Sequence, residues 1–293
     1  MLQNKKYLIA VSGGPDSMAL MNSYKKQIYG VCHVNYHYRD SSNRDEEIVK
    51  RYCKNNNIPF FCLSIDPKIY QNKTIKNFES WARKTRYDFF VTIANKTNIH
   101  DILIGHNLND WLETAIMQEN KKVKTFYYGI KQSNNINGLN IFRPFINKTK
   151  KELQQYCDQN NIEYGIDETN FDLTYQRNKI RNEISKWSSE KINTKINYFE
   201  KLNLQLKEIQ KQVLYLNDKW VKSNYSLKLF KTFDLNTQQS LIFMLLTNKG
   251  INRVSINKIN SIIDFLKAKT QNNKYRIGNN KFIFREKDNL LIK

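Results

Sequence analysis

Residues 7–22 read Tyr7-Leu-Ile-Ala-Val-Ser12-Gly13-Gly14-Pro15-Asp16-Ser17-Met-Ala-Leu-Met-Asn22. The apolar, β-rich run Tyr7–Val11 stops at Ser-Gly-Gly-Pro-Asp-Ser, and a helix-like run with Met18, Leu20 and Met21 starts at Asp16. Strand, Gly-Gly turn and helix, in that order, build an anion site. The two glycines let the backbone turn tightly and approach a ligand. Asp16 and Ser17 are expected to cap the helix, whose first N–H groups lack intrahelical partners and face any phosphate placed there. A Gly-Gly pair alone reads as a tight turn, but the whole hexapeptide at the end of a strand favours a nucleotide. No Lys-Ser or Lys-Thr follows the glycines, so the loop is not of the Walker type.

Working outward, strand candidates Tyr7–Val11, Gln27–Asn35, Pro59–Ile65 and Asp101–Gly105 alternate with helix candidates Asp16–Lys26, Arg44–Asn56 and Phe78–Lys96. This alternation predicts an α/β fold, a Rossmann-like parallel sheet with helices on both faces. Ligands of such sheets sit at the carboxyl ends of the strands. Three polar clusters lie there: Ser12–Ser17, His33-Val-Asn35-Tyr36-His37-Tyr38-Arg39, and His106-Asn107-Leu108-Asn109-Asp110-Trp111-Leu112-Glu113-Thr114. Asp110 and Glu113, three apart on a predicted helix, share a face; near a triphosphate they suit magnesium, a cationic substrate, or both, and otherwise are surface charge. Arg83 and Arg86 are placed either to grip phosphate or to be solvated.

Residues 120–138 show no clear period. Lys121-Lys-Val-Lys124 followed by Phe126-Tyr-Tyr128 suits single-stranded nucleotides, or a mobile loop over apolar surface. Thr149–Asn160 reads as a helix with Thr149 and Glu152 in capping-box spacing. The polar loop Ile166–Asp172 leads to Arg177 and Arg181, i and i+4 on a helix face, with Asp167 available to pair with one of them. Composition shifts near residue 187. Ile192, Ile196, Phe199, Leu202, Leu206, Ile209, Val213, Leu216 and Trp220 alternate at spacings of three and four, one long amphipathic helix. The expected organisation is a domain over 1–187, a linker helix over 188–222, and a smaller, mainly helical C-terminal domain over 223–293 with short terminal strands.

At 293 residues, 40% apolar and 13% aromatic, the chain is long enough for a substantial core. Its longest apolar run, Leu241 to Leu246, is too short for a membrane span, and no signal peptide precedes the first strand, so a cytoplasmic protein is expected. The cysteines at 32, 53, 62 and 157 form no Cys-x-x-Cys pair, which argues against a zinc ribbon or an iron–sulfur cradle. A net charge of +21 points to a polyanionic partner, or to a compositional bias toward Lys and Asn.

The hexapeptide Ser12–Ser17 resembles the signature of the PP-loop ATPases, the N-type ATP pyrophosphatase family. Within that family the chain is similar to the bacterial tRNA(Ile)-lysidine synthases. The similarity runs through His33-Val-Asn35 with Arg39, Ala82-Arg83 to Arg86-Tyr87, His106 with Asp110 and Glu113-Thr114, Arg143-Pro144, and Asp167–Asn170 followed by Arg177-Asn178-Lys-Ile-Arg181. It covers about residues 7–185, and its last segment is the most specific. The resemblance implies an ATP-dependent ligase acting on tRNA(Ile) with a CAU anticodon and on free L-lysine, with no membrane partner and a homodimer as one assembly. It implies ATP binding by Ser12, Gly13, Gly14, Pro15, Asp16, Ser17, Arg86, Arg177 and Arg181. Asp16, His106 and Asp110 are the implied catalytic residues, with Mg2+ at Asp16 and Asp110 and the lysine ammonium at Glu113. His106 is the candidate proton acceptor, with a purely structural histidine as the other reading. The chain departs from the family with Tyr36 in place of His and Asn109-Asp110-Trp111 in place of Asp-Asp-Gln. The alternatives are another PP-loop tRNA-modifying or amidating ATPase, or a degenerate relative that binds RNA without catalysis.

Overall fold

The computed structural model describes residues 5–71, 75, 77–166, 176–251, 254–268, 273–278 and 281–292. The elements run β1 (Tyr7–Ala10), α1 (Pro15–Ser23), β2 (Ile28–Asn35), α2 (Ser42–Asn55), β3 (Phe60–Ser64), α3 (Lys68–Gln71), α4 (Phe78–Thr97), β4 (Asp101–Ile104) and α5 (Leu108–Asn120). Then follow β5 (Ser133–Ile136), β6 (Leu139–Phe142), α6 (Lys150–Gln159), α7 (Gln176–Ile184), α8 (Ser189–Lys222), α9 (Leu227–Thr232), α10 (Leu235–Asn248), α11 (Ile256–Lys267), β7 (Lys274–Gly278), β8 (Lys281–Glu286) and β9 (Asn289–Ile292). The chain forms two compact units, one of 1–112 with 130–179, the other of 113–129 with 180–293.

In the first unit the sheet order is β3-β2-β1-β4-β6-β5. All neighbours are parallel except β5, which pairs antiparallel with β6. The expected α/β sheet is therefore present, with a hairpin at one edge. Asn137 (φ 52°) and Gly138 (φ 83°) make its two-residue turn, the left-handed pair that matches strand twist. The central strands are packed on both faces. On one side Met18, Leu20 and Met21 of α1, Ile48 and Val49 of α2 and Leu153 of α6 meet Ile9 and Val31. On the other, Tyr87, Phe90, Ile93 and Ala94 of α4 meet Leu8, Cys32, Ile102 and Ile141. Helix α4 starts where the Asn77 side chain accepts from the Ser80 N–H and ends at left-handed Asn98. At α6 the capping box expected from Thr149 and Glu152 is formed.

The second unit has its own core of Val213, Trp220, Phe230, Leu241, Ile242, Ile259, Ile262 and Ile283 among others, and an antiparallel β7-β8-β9 sheet. Residues 121–129 are a packed strap within it. Val123 bridges Ser255, the Phe126 ring lies 5.5 Å from Phe243, and Asn203 bonds both backbone groups of Tyr128. Phe126 and Tyr128 thus fill protein surface rather than stack on nucleotides. No helix among the described residues is long and apolar enough to cross a membrane.

Candidate active site

Strand order β2-β1-β4 brings the ends of three strands side by side, and with them Ser12–Ser17, Asn35–Arg39 and Gly105–Asn107. The loop after β1 is tied internally. Ser12 N–H donates to Ser17 Oγ (3.2 Å), and Ser17 Oγ donates to the Gly14 carbonyl (2.9 Å). The expected capping by Asp16 and Ser17 does not occur: the N-cap of α1 is Gly14, with no side-chain cap and Pro15 in the first turn. A side-chain acceptor at that position would occupy the helix terminus, and without it the positive end of α1 is open to an anion.

At Gly13 and Gly105 the surroundings leave no space for a side chain. Gly13 has φ 91°, and a Cβ there would lie 2.9 Å from both Asp45 Cβ and the Asp45 carbonyl oxygen. A Cβ on Gly105 would lie 3.0 Å from the Asp16 carbonyl oxygen. Asp45 is itself buried and bonded by Arg44 at 2.8 and 3.1 Å, and Gly165 N–H donates to the Gly13 carbonyl at 2.9 Å. Asp45 and Gly165 escaped the sequence reading, since nothing local marks them as neighbours of the loop.

The loop lines a cavity of about 340 Å³ with apolar walls (Cys32, Val34, Phe90, Ile104) and polar groups from Ser12, Gly14, Asp16, Ser17, Arg39, Arg83, Arg86 and His106. The Nε–H of buried Arg143 donates to His106 Nδ1 at 3.1 Å, so the neutral ring carries its proton on Nε2. Burial, then Arg143, Arg177, Arg86 and Arg83, push the His106 pKa down to about 3. This is the environment of a neutral ring with an Nε2–H to donate.

Asn107 and Asp110 cap α5 reciprocally. Asp110 N–H donates to Asn107 Oδ1 (3.0 Å), and Asn107 N–H to Asp110 Oδ2 (3.1 Å). Asp110 Oδ1 accepts from Arg177 at 2.7 Å. The variant residue Asn109 turns its side-chain carbonyl to the Lys150 N–H at 2.9 Å, at the start of α6. In the second unit, Glu113 is 3% exposed and takes two bonds from Arg181, at 2.9 and 3.3 Å. The structure thus gathers Ser12, Gly14, Asp16, Ser17, Arg86 and His106 around one cavity, and joins Asp110 to Arg177 and Glu113 to Arg181 as two ion pairs. The expected Asp167 pairing lies outside the described residues.

No group of three or more His, Cys, Asp or Glu among the described residues is arranged to hold a metal. Magnesium commonly uses one or two carboxylates and completes its shell with substrate phosphates and water. Asp16, within the phosphate loop, fits that donor set; Asp110 fits it by exchanging Arg177 for the metal.

The PP-loop domain family matches residues 2–187. The tRNA(Ile)-lysidine synthase of Ureaplasma parvum is 42% identical over 99% of this chain and 88% of its own length. That of Malacoplasma penetrans is 39% identical over 95% of each chain, and that of Mycoplasma genitalium 36% identical over 97% and 96%. Among solved structures, the U34-tRNA thiolase NcsA from Methanococcus maripaludis superposes with a TM-score of 0.58 at 16% identity, covering 70% of this chain and 73% of that one, a likeness of fold alone. The phosphate loop, the arginines around it and these full-length similarities converge: the chain belongs to the tRNA(Ile)-lysidine synthase family, built on a PP-loop ATPase domain.

Proposed function

We propose that the chain is a carbon–nitrogen ligase that joins free L-lysine to C2 of the wobble cytidine in the CAU anticodon of tRNA(Ile), splitting ATP into AMP and pyrophosphate in the cytoplasm. The observation that carries this reading is the phosphate loop, ringed by Arg83 and Arg86 with His106 and opened toward the positive end of α1. In the first step the C2 carbonyl oxygen of cytidine forms a bond to the α-phosphorus, and the bond to the β-phosphate oxygen breaks with release of pyrophosphate. In the second, the neutral lysine amine bonds to C2, the C2–O bond breaks, AMP leaves with its oxygen, and the nitrogen gives up a proton to water.

Positioning and charge stabilisation dominate such transfers. The loop Ser12–Ser17 and the terminus of α1 hold the phosphates, and Arg86 and Arg177 offset charge as it shifts to the leaving group. Magnesium, held by Asp16, would neutralise charge between phosphates. His106, neutral with its proton on Nε2, donates a hydrogen bond to a phosphate oxygen and stays neutral throughout. Glu113 supplies the carboxylate for the lysine ammonium by sharing it with Arg181.

A sulfur-transfer reading fits less well. Burial pushes the thiols of Cys32, Cys53 and Cys62 up to about 12 and that of Cys157 up to about 11, so all four stay protonated at neutral pH. Incubation with ATP, labelled lysine and tRNA transcripts tests the proposal. Lysine should appear in a CAU transcript of tRNA(Ile) with one pyrophosphate per lysine, and Asp16→Ala should abolish ATP cleavage while tRNA binding survives. Tight tRNA binding with no lysine transfer would sink the ligase reading.

A further inference from the structure

The loop after β2 joins α3 and the start of α4 in an aromatic cluster that the phosphate chemistry does not use. Tyr36, Tyr38, Tyr70, Phe78 and Trp81 pack with ring centroids between 4.6 and 6.1 Å apart. Two of the tyrosines spend their hydroxyls on holding the loop. Tyr36 donates to the Ala82 carbonyl (2.7 Å), and Tyr70 to the carbonyls of Tyr36 (2.9 Å) and His37 (3.2 Å). The His37 N–H donates to Asn35 Oδ1 at 2.8 Å, and its Nε2 lies 2.7 Å from Ser64 Oγ. These bonds lock His37 at φ 49°, in the left-handed region that residues with a Cβ rarely adopt.

The lock fixes the direction of the next residue. Tyr38 is 51% exposed, and its hydroxyl bonds to no described residue. Its ring stacks on Phe78 at 4.6 Å with 20° between the planes. A half-open ring backed by a near-parallel one, on a backbone held this firmly, has the form of a stacking platform. It opens on a cavity of about 240 Å³ that also meets Ser12, Asn35, Arg39 and Phe78. That cavity shares Ser12, Val34, Tyr36 and Arg39 with the one beside the phosphate loop. One ATP accounts for the first cavity, whose apolar walls suit its base. The second is then left for the second nucleotide of a two-nucleotide reaction. Aromatic faces take any base, and Arg39 supplies charge for the phosphate attached to it.

We propose that Tyr38 is the stacking platform for an unpaired nucleobase of the RNA substrate, a subsite that rests on the ligase reading above. The test uses the full-length protein and a tRNA(Ile) transcript, together with transcripts carrying one abasic site at each anticodon-loop position in turn. Tyr38→Ala should weaken tRNA binding by about 5- to 100-fold, the range expected for one lost base stack, with KM for ATP unchanged. Tyr38→Phe and Tyr38→Trp should bind as the wild type does. One abasic transcript should weaken binding to the wild type and not to Tyr38→Ala, the mark of direct coupling. Tyr38→Leu, which keeps apolar bulk on Phe78, separates stacking from folding: thermal stability near wild type with tRNA binding lost supports the platform. Undiminished tRNA binding by both Tyr38→Ala and Tyr38→Leu, or a loss confined to ATP, overturns it and leaves the ligase reading intact. Failure of the wild type to bind any tRNA would overturn both.

Discussion

The backbone at Gly13 touches Asp45 with no room for a methyl group, whereas Glu113, equally enclosed, is held through charge reaching it from Arg181. The first contact is set by main-chain geometry, and nothing smaller than glycine exists to relieve it. The second is set by two side chains, and its strength depends on how far water is kept out. The same chemistry recurs at Asp110 and Arg177 with more solvent: Asp110 is 19% exposed and Glu113 only 3%. Removing one partner of an ion pair is costly when the other stays dry, and mild when water replaces it.

The sharpest way to break this comparison is Gly13→Ala. The positive φ and the contact with the Asp45 carbonyl both oppose it, so a loss of about 2–4 kcal/mol in stability is expected, with ATP cleavage abolished. Urea denaturation and pyrophosphate release measure the two. A stable, active Gly13→Ala would mean that the loop relaxes around a side chain. Next in size, Arg181→Ala should cost about 2–3 kcal/mol by removing a charged partner of buried Glu113, against about 1 kcal/mol or less for Arg177→Ala. Equal shifts in the urea midpoint would remove the distinction between the pairs. Arg177→Ala should instead show its main effect on ATP turnover.

The smallest effect at neutral pH concerns His106, whose Nδ1 accepts from Arg143. Its folded pKa, about 3, lies below the ordinary 6.5, and burial also lowers that of His33. The unfolded chain therefore binds more protons between these values, so stability is full above pH 6.5 and falls as pH drops toward 3. Ligase rates between pH 6 and 8 should show no ionisation from His106, and the imidazole signals followed by NMR should show it neutral at pH 5. An inflection near pH 6.5 that disappears in His106→Asn would restore the base reading.

Much of the first unit was readable because buried parallel strands leave apolar runs and helices leave periodic ones. β1 to β4 lie within a residue or two of their expected spans. The β5–β6 hairpin was missed although Asn137-Gly138 is a strong turn signal, because Ser133–Ile136 is a polar edge strand in a chain crowded with asparagine. The polar clusters at the ends of β1, β2 and β4 were visible, since topology places such residues together. The closeness of Asp45 and Gly165 to Gly13 was not, because it depends on the packing of segments far apart in sequence. The environment of His106 was hidden for a similar reason: the four arginines that depress it come from three separate stretches of chain, with Arg83 and Arg86 both on α4.

The crowding around the phosphate loop also bears on how such a chain can drift. It holds only nine glycines in 293 residues, and four of them, at 13, 14, 105 and 165, surround that loop. Mutational pressure toward lysine and asparagine can erode glycine wherever a side chain finds space. At 13, 105 and 165 a side chain would meet backbone or the buried Asp45 carboxylate. The nucleotide pocket therefore sets a floor beneath which the glycine content of this sequence cannot fall while the pocket keeps its shape.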